Sequence, residues 1–108
     1  MGIDFKHRKV VEMNKVKRDT IERAYGVCKR YSRLSSKFQY QYYDEVNRKK
    51  YYRLRDKLHD ATWNVITGNE PLLAPYSLIY AIVVAAVDNG KGKEAVYTAL
   101  EAVGIEIV

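Results

Sequence analysis

The chain has 108 residues, enough for one domain and too few for two separate cores. Hydrophobic residues make up 47% of it, which excludes an intrinsically disordered chain, and its formal net charge of +6 favours anionic partners. The single cysteine, Cys28, excludes an internal disulfide and a zinc site made of cysteines, and it fits a reducing, cytoplasmic setting.

The sequence predicts neither a signal peptide nor a membrane span. Met1 to Arg8 contains no apolar stretch and no small-residue cleavage site. The longest apolar run, Tyr76 to Val87, has 12 residues, whereas a membrane helix needs about 20. We therefore expect a cytoplasmic protein without a membrane span.

Charge is distributed unevenly along the chain. Residues 1–58 contain 17 Lys and Arg against 7 Asp and Glu, whereas residues 59–108 contain 2 against 6. A basic half of this kind attracts nucleic acid, acidic lipid or an acidic protein, and the mildly acidic, aliphatic half is typical of packing surface. The alternative is a solvated basic face that only maintains solubility.

The first amphipathic pattern lies in the N-terminal third of the chain. Its apolar positions recur at steps of three and four residues, as on one face of a helix. Two starts are possible: Asp19 with Glu22 resembles a capping box, but the pattern already begins at Val10 and Met13. We predict the longer helix, interrupted at Ser35–Ser36 because serine prefers caps and turns. The positions of the pattern are Val10, Met13, Thr20, Ile21, Ala24, Val27, Cys28 and Tyr31.

A dense aromatic segment follows the two serines. It contains Phe38, Tyr40, Tyr42 and Tyr43. We predict a turn that enters the second helix, although the alternation would also suit a short strand. Whether these rings belong to the core or to an interface stays open.

The second helix has a clear apolar face that ends at Gly68. Its positions are Tyr51, Leu54, Leu58, Ala61, Thr62, Val65 and Ile66. Four cations occupy the opposite side, namely Lys49, Lys50, Arg53 and Lys57. This pattern predicts an amphipathic helix with a basic outer face.

A third row of the same helix interleaves aromatic and basic residues. It contains Arg48, Tyr52, Arg55, His59 and Trp63, at steps of three and four residues. Aromatic rings stack on exposed bases and arginines neutralise phosphates, so this row is typical of a surface for single-stranded nucleic acid. The alternative is that the rings widen the buried face while the arginines reach out to water.

Glycine and proline divide the remaining chain. Residues 69–75 hold both prolines and form a connector, since proline is excluded from helix interiors. The run from residue 76 is apolar on all sides, which predicts a helix in the middle of the core or at an oligomer contact. It should end at Asp88–Gly90, and a short helix Ala95–Val103 should be closed by Gly104. We expect the apolar tail, Ile105–Val108, to pack against the bundle, and a short strand is one conformation that it could adopt there.

Together these patterns predict an all-α protein, a small three- to four-helix bundle with a C-terminal helical hairpin. Residues 1–108 form one domain: basic amphipathic helices in 1–68, a connector in 69–75, and an apolar helical hairpin with a tail in 76–108. A homodimer is a plausible assembly, because four short helices cover a highly apolar segment poorly.

Two tempting motifs are set aside. Gly90–Lys93 lacks the glycine spacing and the Ser or Thr of a phosphate loop, so it is expected to connect two helices. The last two helices could form a helix-turn-helix, but the outer face of the final helix, Glu94, Tyr97, Thr98 and Glu101, is acidic and unsuited to phosphate.

The sequence indicates no enzyme, cofactor or metal site. His59 and Asp60 are adjacent and project about 100° apart on a helix, so neither can orient the other. Cys28 lies on the apolar face of its helix, where an inert core thiol is expected.

We therefore expect sequence-tolerant binding of DNA or RNA through a basic, tyrosine-rich face. The candidate residues are Lys15, Lys17, Arg18, Arg48, Lys49, Lys50, Tyr52, Arg53 and Arg55. The alternative is a small accessory protein of the phage or mobile-element type that binds and modulates or inhibits a larger protein, with Tyr, Trp and Arg as contact residues.

Overall fold

The computed structural model describes residues 14–39, 44–68 and 75–108. This part of the chain forms four helices and two short strands, which confirms the predicted all-α bundle. In chain order they are β1 (Lys15–Val16), α1 (Arg18–Ser36), α2 (Glu45–Gly68), α3 (Tyr76–Asp88), α4 (Lys93–Ala102) and β2 (Glu106–Ile107).

Helices α1 and α2 form an antiparallel pair. Phe38, just beyond α1, lies under the Lys50 ammonium group near the start of α2, 5.7 Å from nitrogen to ring centroid. Helix α3 runs antiparallel to α2, because its Tyr80 contacts Trp63 and its last residue, Asp88, contacts Arg55. Both contacts place α3 on one side of the α1–α2 pair.

Helix α4 lies on the same side and returns along α1. The Tyr25 hydroxyl donates to the Lys91 carbonyl oxygen at 2.7 Å, and the Tyr97 hydroxyl donates to Glu22 at 3.1 Å. The opposite side of the α1–α2 pair is therefore contacted by neither α3 nor α4, a fact that determines where the cations of both helices are exposed.

The core forms where the four helices meet. Fully buried side chains come from each of them, and the tail adds Ile105. They include Ile21 and Cys28 of α1, Leu58 and Ile66 of α2, Ile79 and Val83 of α3, and Val96 and Leu100 of α4. The inert core position expected for the Cys28 side chain is confirmed.

Local sequence signals terminate the helices as predicted. Helix α1 stops at Ser36, α2 stops at Gly68 and α3 begins directly after Pro75. Helices α3 and α4 each end at a glycine in the left-handed conformation, Gly90 (φ +68°) and Gly104 (φ +84°). Glycine adopts this conformation without the steric cost that other residues meet. The helix connection at Gly90–Lys93 is also confirmed. Residues 37–39 form a turn, and the rest of the aromatic segment for which a turn was predicted lies outside the described residues.

The predicted start of the first helix is wrong. Lys15–Val16 is a strand, and α1 begins at Arg18 after the extended residue Lys17, which forms no side-chain cap. The alternative capping box at Asp19 is not formed either. Val10 and Met13 lie outside the described residues, as do Tyr40, Tyr42 and Tyr43.

The cause is the C-terminal tail, whose expected short strand is confirmed. β2 pairs in parallel with β1, with Val16 in register with Ile107. The Arg18 amide then donates to the Val108 carbonyl oxygen at 2.9 Å. One backbone donor at the helix start is thus satisfied by the tail and not by a side chain.

Two burial predictions for the C-terminal half also need correction. Helix α3 is not surrounded by the core, since it buries Ile79, Val83 and Ala86 and leaves Leu78 with 38% of its surface exposed. Tyr97 was expected on the outer face of α4, but it is buried against α1 and only 7% exposed. No helix in residues 14–39, 44–68 or 75–108 is long and apolar enough to cross a membrane.

Candidate nucleic-acid interface

The structure divides the predicted site residues between two regions. Lys15, Lys17 and Arg18 lie at the start of α1, beside β2 and α4. The others lie in the first half of α2, next to the opposite end of α1. At about 1.5 Å per residue, the length of α1 puts roughly 27 Å between these regions, so the nine residues do not form one patch.

The group at the start of α1 is involved in packing. The Arg18 guanidinium lies over the ring of Tyr97, 4.6 Å from its centroid. Burial raises the pKa of Tyr97, and the neighbouring Glu22 carboxylate raises it further. Lys15 is half-buried within β1 and Lys17 is exposed. These contacts tie Arg18 to the bundle and make this region the weaker candidate for a binding surface.

The α2 group is itself divided between two sides of the helix. Arg48, Tyr52 and Arg55 lie on the side that faces α3, whereas Lys50 and Arg53 lie on the side away from it, according to their helical phase and the contacts of α3. Lys49 lies between them and pairs with Glu45 at 3.2 Å, one turn earlier. A ligand that touches all six residues would have to wrap around α2.

Arg55 is joined to the end of α3. Its guanidinium donates to both Asp88 carboxylate oxygens at 3.2 to 3.4 Å. Burial lowers the pKa of Arg55, but the hydrogen bond and the charge of Asp88 outweigh it and leave that pKa raised. The Asp88 pair, which the sequence did not indicate, makes Arg55 a link between α2 and α3.

The aromatic row of α2 is partly packed and partly open. His59 Nδ1 and the Tyr80 hydroxyl form a hydrogen bond, and Trp63 meets Tyr80 edge to face with ring centroids 5.7 Å apart. Trp63 keeps 38% of its surface exposed and Tyr52 keeps 54%. The C-terminal part of the row, His59 and Trp63, therefore packs on α3, whereas the Tyr52 ring is exposed to solvent.

Sequence reasoning missed a matching row of cations on α1. Arg30, Arg33 and Lys37 follow each other at steps of three and four residues and are exposed. Helical phase turns this row away from the core of the bundle, as it turns Lys50, Arg53 and Lys57 away from α3, so both rows are exposed on sides of the α1–α2 pair that α3 and α4 leave open. The available signal was the absence of any carboxylate between residues 29 and 39. These six residues are called the basic hairpin face below.

The basic hairpin face has few opposing charges. Within residues 29–39 and 44–57 there are ten Lys and Arg against three Asp and Glu. Among the described residues, none of the six cations of the face lies within ion-pair distance of a carboxylate. A shallow cavity of about 300 Å³ lies on α1 beside Gly26, lined by Lys29, Arg30, Arg33 and Leu34. The arrangement is suited to holding an extended anion.

The described residues offer little for metal chemistry. No group of three or more His, Cys, Asp or Glu in residues 14–39, 44–68 and 75–108 is placed to hold a metal ion. Burial raises the pKa of Cys28 to about 11, so the thiolate that would act as a ligand or nucleophile is disfavoured.

Comparison of the chain with protein-family models, curated proteins and solved structures gives no match.

Proposed function

We propose that the protein binds DNA or RNA without strong sequence preference through the basic hairpin face. The observation that carries the proposal is the cluster of six exposed cations on two adjacent helices, with no carboxylate paired to any of them in the described residues. Phosphates that replace counterions at such a cluster bind with an affinity that depends strongly on salt.

The geometry suits backbone contact more than base recognition in a groove. Each cation row has helical spacing, so each forms a strip along its own helix of the antiparallel α1–α2 pair. Tyr52 lies on another side of α2, where its exposed ring can stack on a base of a strand that leaves these strips. Non-specific phosphate contact with occasional stacking is typical of proteins that bind single strands.

The test compares two variants that each lose two positive charges. Lys50→Ala with Arg53→Ala removes charge from the basic hairpin face, and Lys91→Ala with Lys93→Ala removes the same charge from the α3–α4 connection. Fluorescence anisotropy with labelled single- and double-stranded DNA and RNA would be recorded at low and near-physiological salt. The first variant should lose about two units of slope in a plot of log affinity against log salt.

The control variant should keep the slope of the unmodified protein to within one unit, because its lysines lie away from both strips. Equal losses in both variants would mean that only net charge matters and that no localised surface exists. An affinity that does not change with salt would contradict the proposal outright.

The exposed side of α3 supports a second function, contact with another protein. Tyr76–Val87 contains no charged residue, and its outward positions Leu78, Ala81 and Ala85 are open to solvent. We propose a second copy of this chain as the partner. A groove of about 540 Å³ runs between α3 and α4, lined chiefly by alanines, including Ala85, Ala95 and Ala99.

The face is complementary to itself. If two α3 helices pack antiparallel about a twofold axis near Ala81, Leu78 of one copy lies opposite Ala85 of the other. Each leucine can then fill the alanine-lined groove of its partner. The α3 residues of the contact are uncharged, and Lys91 is the one charged residue that lines the groove. Sedimentation velocity over a range of protein concentrations tests the association.

A further inference from the structure

A polar cavity of about 270 Å³ lies where three helices meet, on the side of α2 that faces α3. The last turn of α1 contributes serines, the middle of α2 contributes Tyr51 and Arg55, and the end of α3 contributes Asp88. The α1 residues in its wall are Ser32, Ser35, Ser36 and, just beyond the helix, Gln39. Nothing in the proposed backbone contact uses this cavity.

The Asp88 carboxylate and the serine oxygens of the wall are acceptors, the Gln39 amide and the Tyr51 hydroxyl can donate, and the Arg55 guanidinium already donates to Asp88. The Ser35 and Ser36 hydroxyls donate to the carbonyl oxygens of Ser32 and Arg33 at 3.0 and 2.8 Å. Their oxygens can therefore only accept from a ligand. The C-terminal ends of α1 and α3 add partial negative charge, and Asp88 adds a carboxylate whose side chain is 40% exposed. The cavity thus favours a group that presents N–H donors.

Two α2 side chains give the cavity a flat wall and a fixed carboxylate. The Tyr51 ring meets the Tyr52 ring nearly edge to face, with centroids 5.4 Å apart and planes at 72°, which restricts its rotation. Arg55 holds the Asp88 carboxylate from one side, so the remaining oxygen lone pairs stay available. A planar ligand could lie along Tyr51 and donate to Asp88.

We propose that this cavity takes one unstacked nucleobase that carries an exocyclic amino group, with its ring along Tyr51 and its amino group donating to Asp88. The inference rests on the proposed function, because only a strand bound to the protein would hold a base at the cavity. The volume equals about nine water molecules at roughly 30 Å³ each, which is enough for a purine. A base inside a duplex cannot enter, so single strands should bind more tightly than duplexes.

The experiment uses the full chain and three labelled single strands of about 12 nucleotides, a length within the usual site size. One strand contains thymine only, one has a single central guanine, and one has hypoxanthine in place of that guanine. Guanine and hypoxanthine differ only in the exocyclic amino group. The guanine strand should bind roughly tenfold more tightly than the hypoxanthine strand, as expected for a hydrogen bond to a carboxylate.

Asp88→Ala should abolish this tenfold difference, whereas Asp60→Ala, which removes the same charge from an exposed site on α2, should preserve it. Circular dichroism would verify that both variants are folded. The ratio of the affinities for the guanine and hypoxanthine strands, measured with the unmodified protein, tests the proposal without any variant. Equal binding of all three strands would overturn the cavity proposal and leave the proposed function standing. No binding of any strand at low salt would overturn both.

Discussion

Cys28 shows how one buried group links stability to pH. Burial is the main reason that its pKa rises from 9.0 to about 11, and the nearby Thr62 hydroxyl and Arg55 oppose the shift only in part. The thiol side chain is fully buried between α1 and α2. A thiolate at this position would lose its hydration, so the folded protein keeps the proton that the unfolded chain releases.

The sign of the effect follows from proton counting. Below pH 9 both states are protonated, and stability does not depend on this group. Between pH 9 and 11 the unfolded chain binds fewer protons, so the free energy of unfolding falls as pH rises. The difference between a pKa of 9.0 and one of about 11 corresponds to at most about 3 kcal/mol in the free energy of unfolding. Roughly half of this contribution is lost by pH 10.

We expect the stability difference between the unmodified protein and Cys28→Ala to shrink by about 1 kcal/mol from pH 8 to pH 10. Urea unfolding at both pH values measures it, and comparing the two proteins cancels the contribution of Tyr97, whose raised pKa does not depend on Cys28. A difference that stays constant with pH would show that the thiol ionises as easily in the folded protein as in the unfolded chain.

At the scale of the helices, two glycines have opposite roles. Gly104 closes α4 with φ +84°, and the next amide, of Ile105, donates to the Leu100 carbonyl oxygen at 2.9 Å. Gly26 lies in the exposed middle of α1, and a methyl group added there would meet nothing within 4 Å. The first glycine is needed for backbone conformation, whereas the second costs helix stability.

Gly104→Ala should therefore lower the free energy of unfolding by about 1 to 2 kcal/mol, and Gly26→Ala should raise it by up to about 1 kcal/mol. Thermal unfolding would show the two as shifts of opposite sign, of roughly 4 °C per kcal/mol for a domain of this size. Two shifts of the same sign would contradict the assigned roles. Gly26→Ala also fills part of the cavity beside Arg30. The nucleic-acid affinity of this variant should therefore be compared with that of the unmodified protein.

The elements that depend on local signals were predictable, and those that depend on distant partners were not. Ser36, Gly68 and Pro75 mark helix ends through the backbone preferences of those residues. The strand at Lys15–Val16 requires a partner about 90 residues away in the chain, and no local pattern contains it. Periodicity correctly separated the apolar and charged faces of α2. It could not predict the ion pair between Arg55 and Asp88, because Asp88 is 33 residues away in the chain.

Burial on α3 shows the same limit at a larger scale. Its composition predicted an apolar helix correctly, but composition does not say which sides a neighbour covers. Among the described residues, the bundle buries Ile79, Val83 and Ala86 fully or nearly so and covers Tyr80, Ile82, Val84 and Val87 in part. The cations of α1 are a parallel case, since only the packing of the bundle shows that no other helix covers their side of α1.

Across the whole molecule, charge and apolar surface are separated. The basic hairpin face lies on one side of the α1–α2 pair, and the uncharged face of α3 lies on the other. A twofold dimer through α3 would leave both basic faces pointing outward and free. A dimer whose two basic hairpin faces bind the same nucleic-acid strand should bind it more tightly than a monomer, because the second contact is intramolecular. The two proposed functions are therefore compatible.

The dimer should be weak. Helix α3 is about 20 Å long at 1.5 Å per residue, so its face can bury on the order of 400 Å² per copy, half of what a standard interface buries. Sedimentation velocity should show a monomer at micromolar concentration and a dimer that grows toward millimolar concentration. Leu78→Glu should weaken the association, since it removes the leucine that fills the alanine-lined groove and brings a carboxylate into a largely apolar contact.

Val46→Glu is the matched control, because Val46 is also an exposed apolar residue, at 61%, but lies on α2 away from α3. It should associate like the unmodified protein, and both variants should unfold at similar temperatures. If the unmodified protein remains monomeric at millimolar concentration, the self-complementary contact does not form, and the apolar face of α3 does not bind a second copy of this chain.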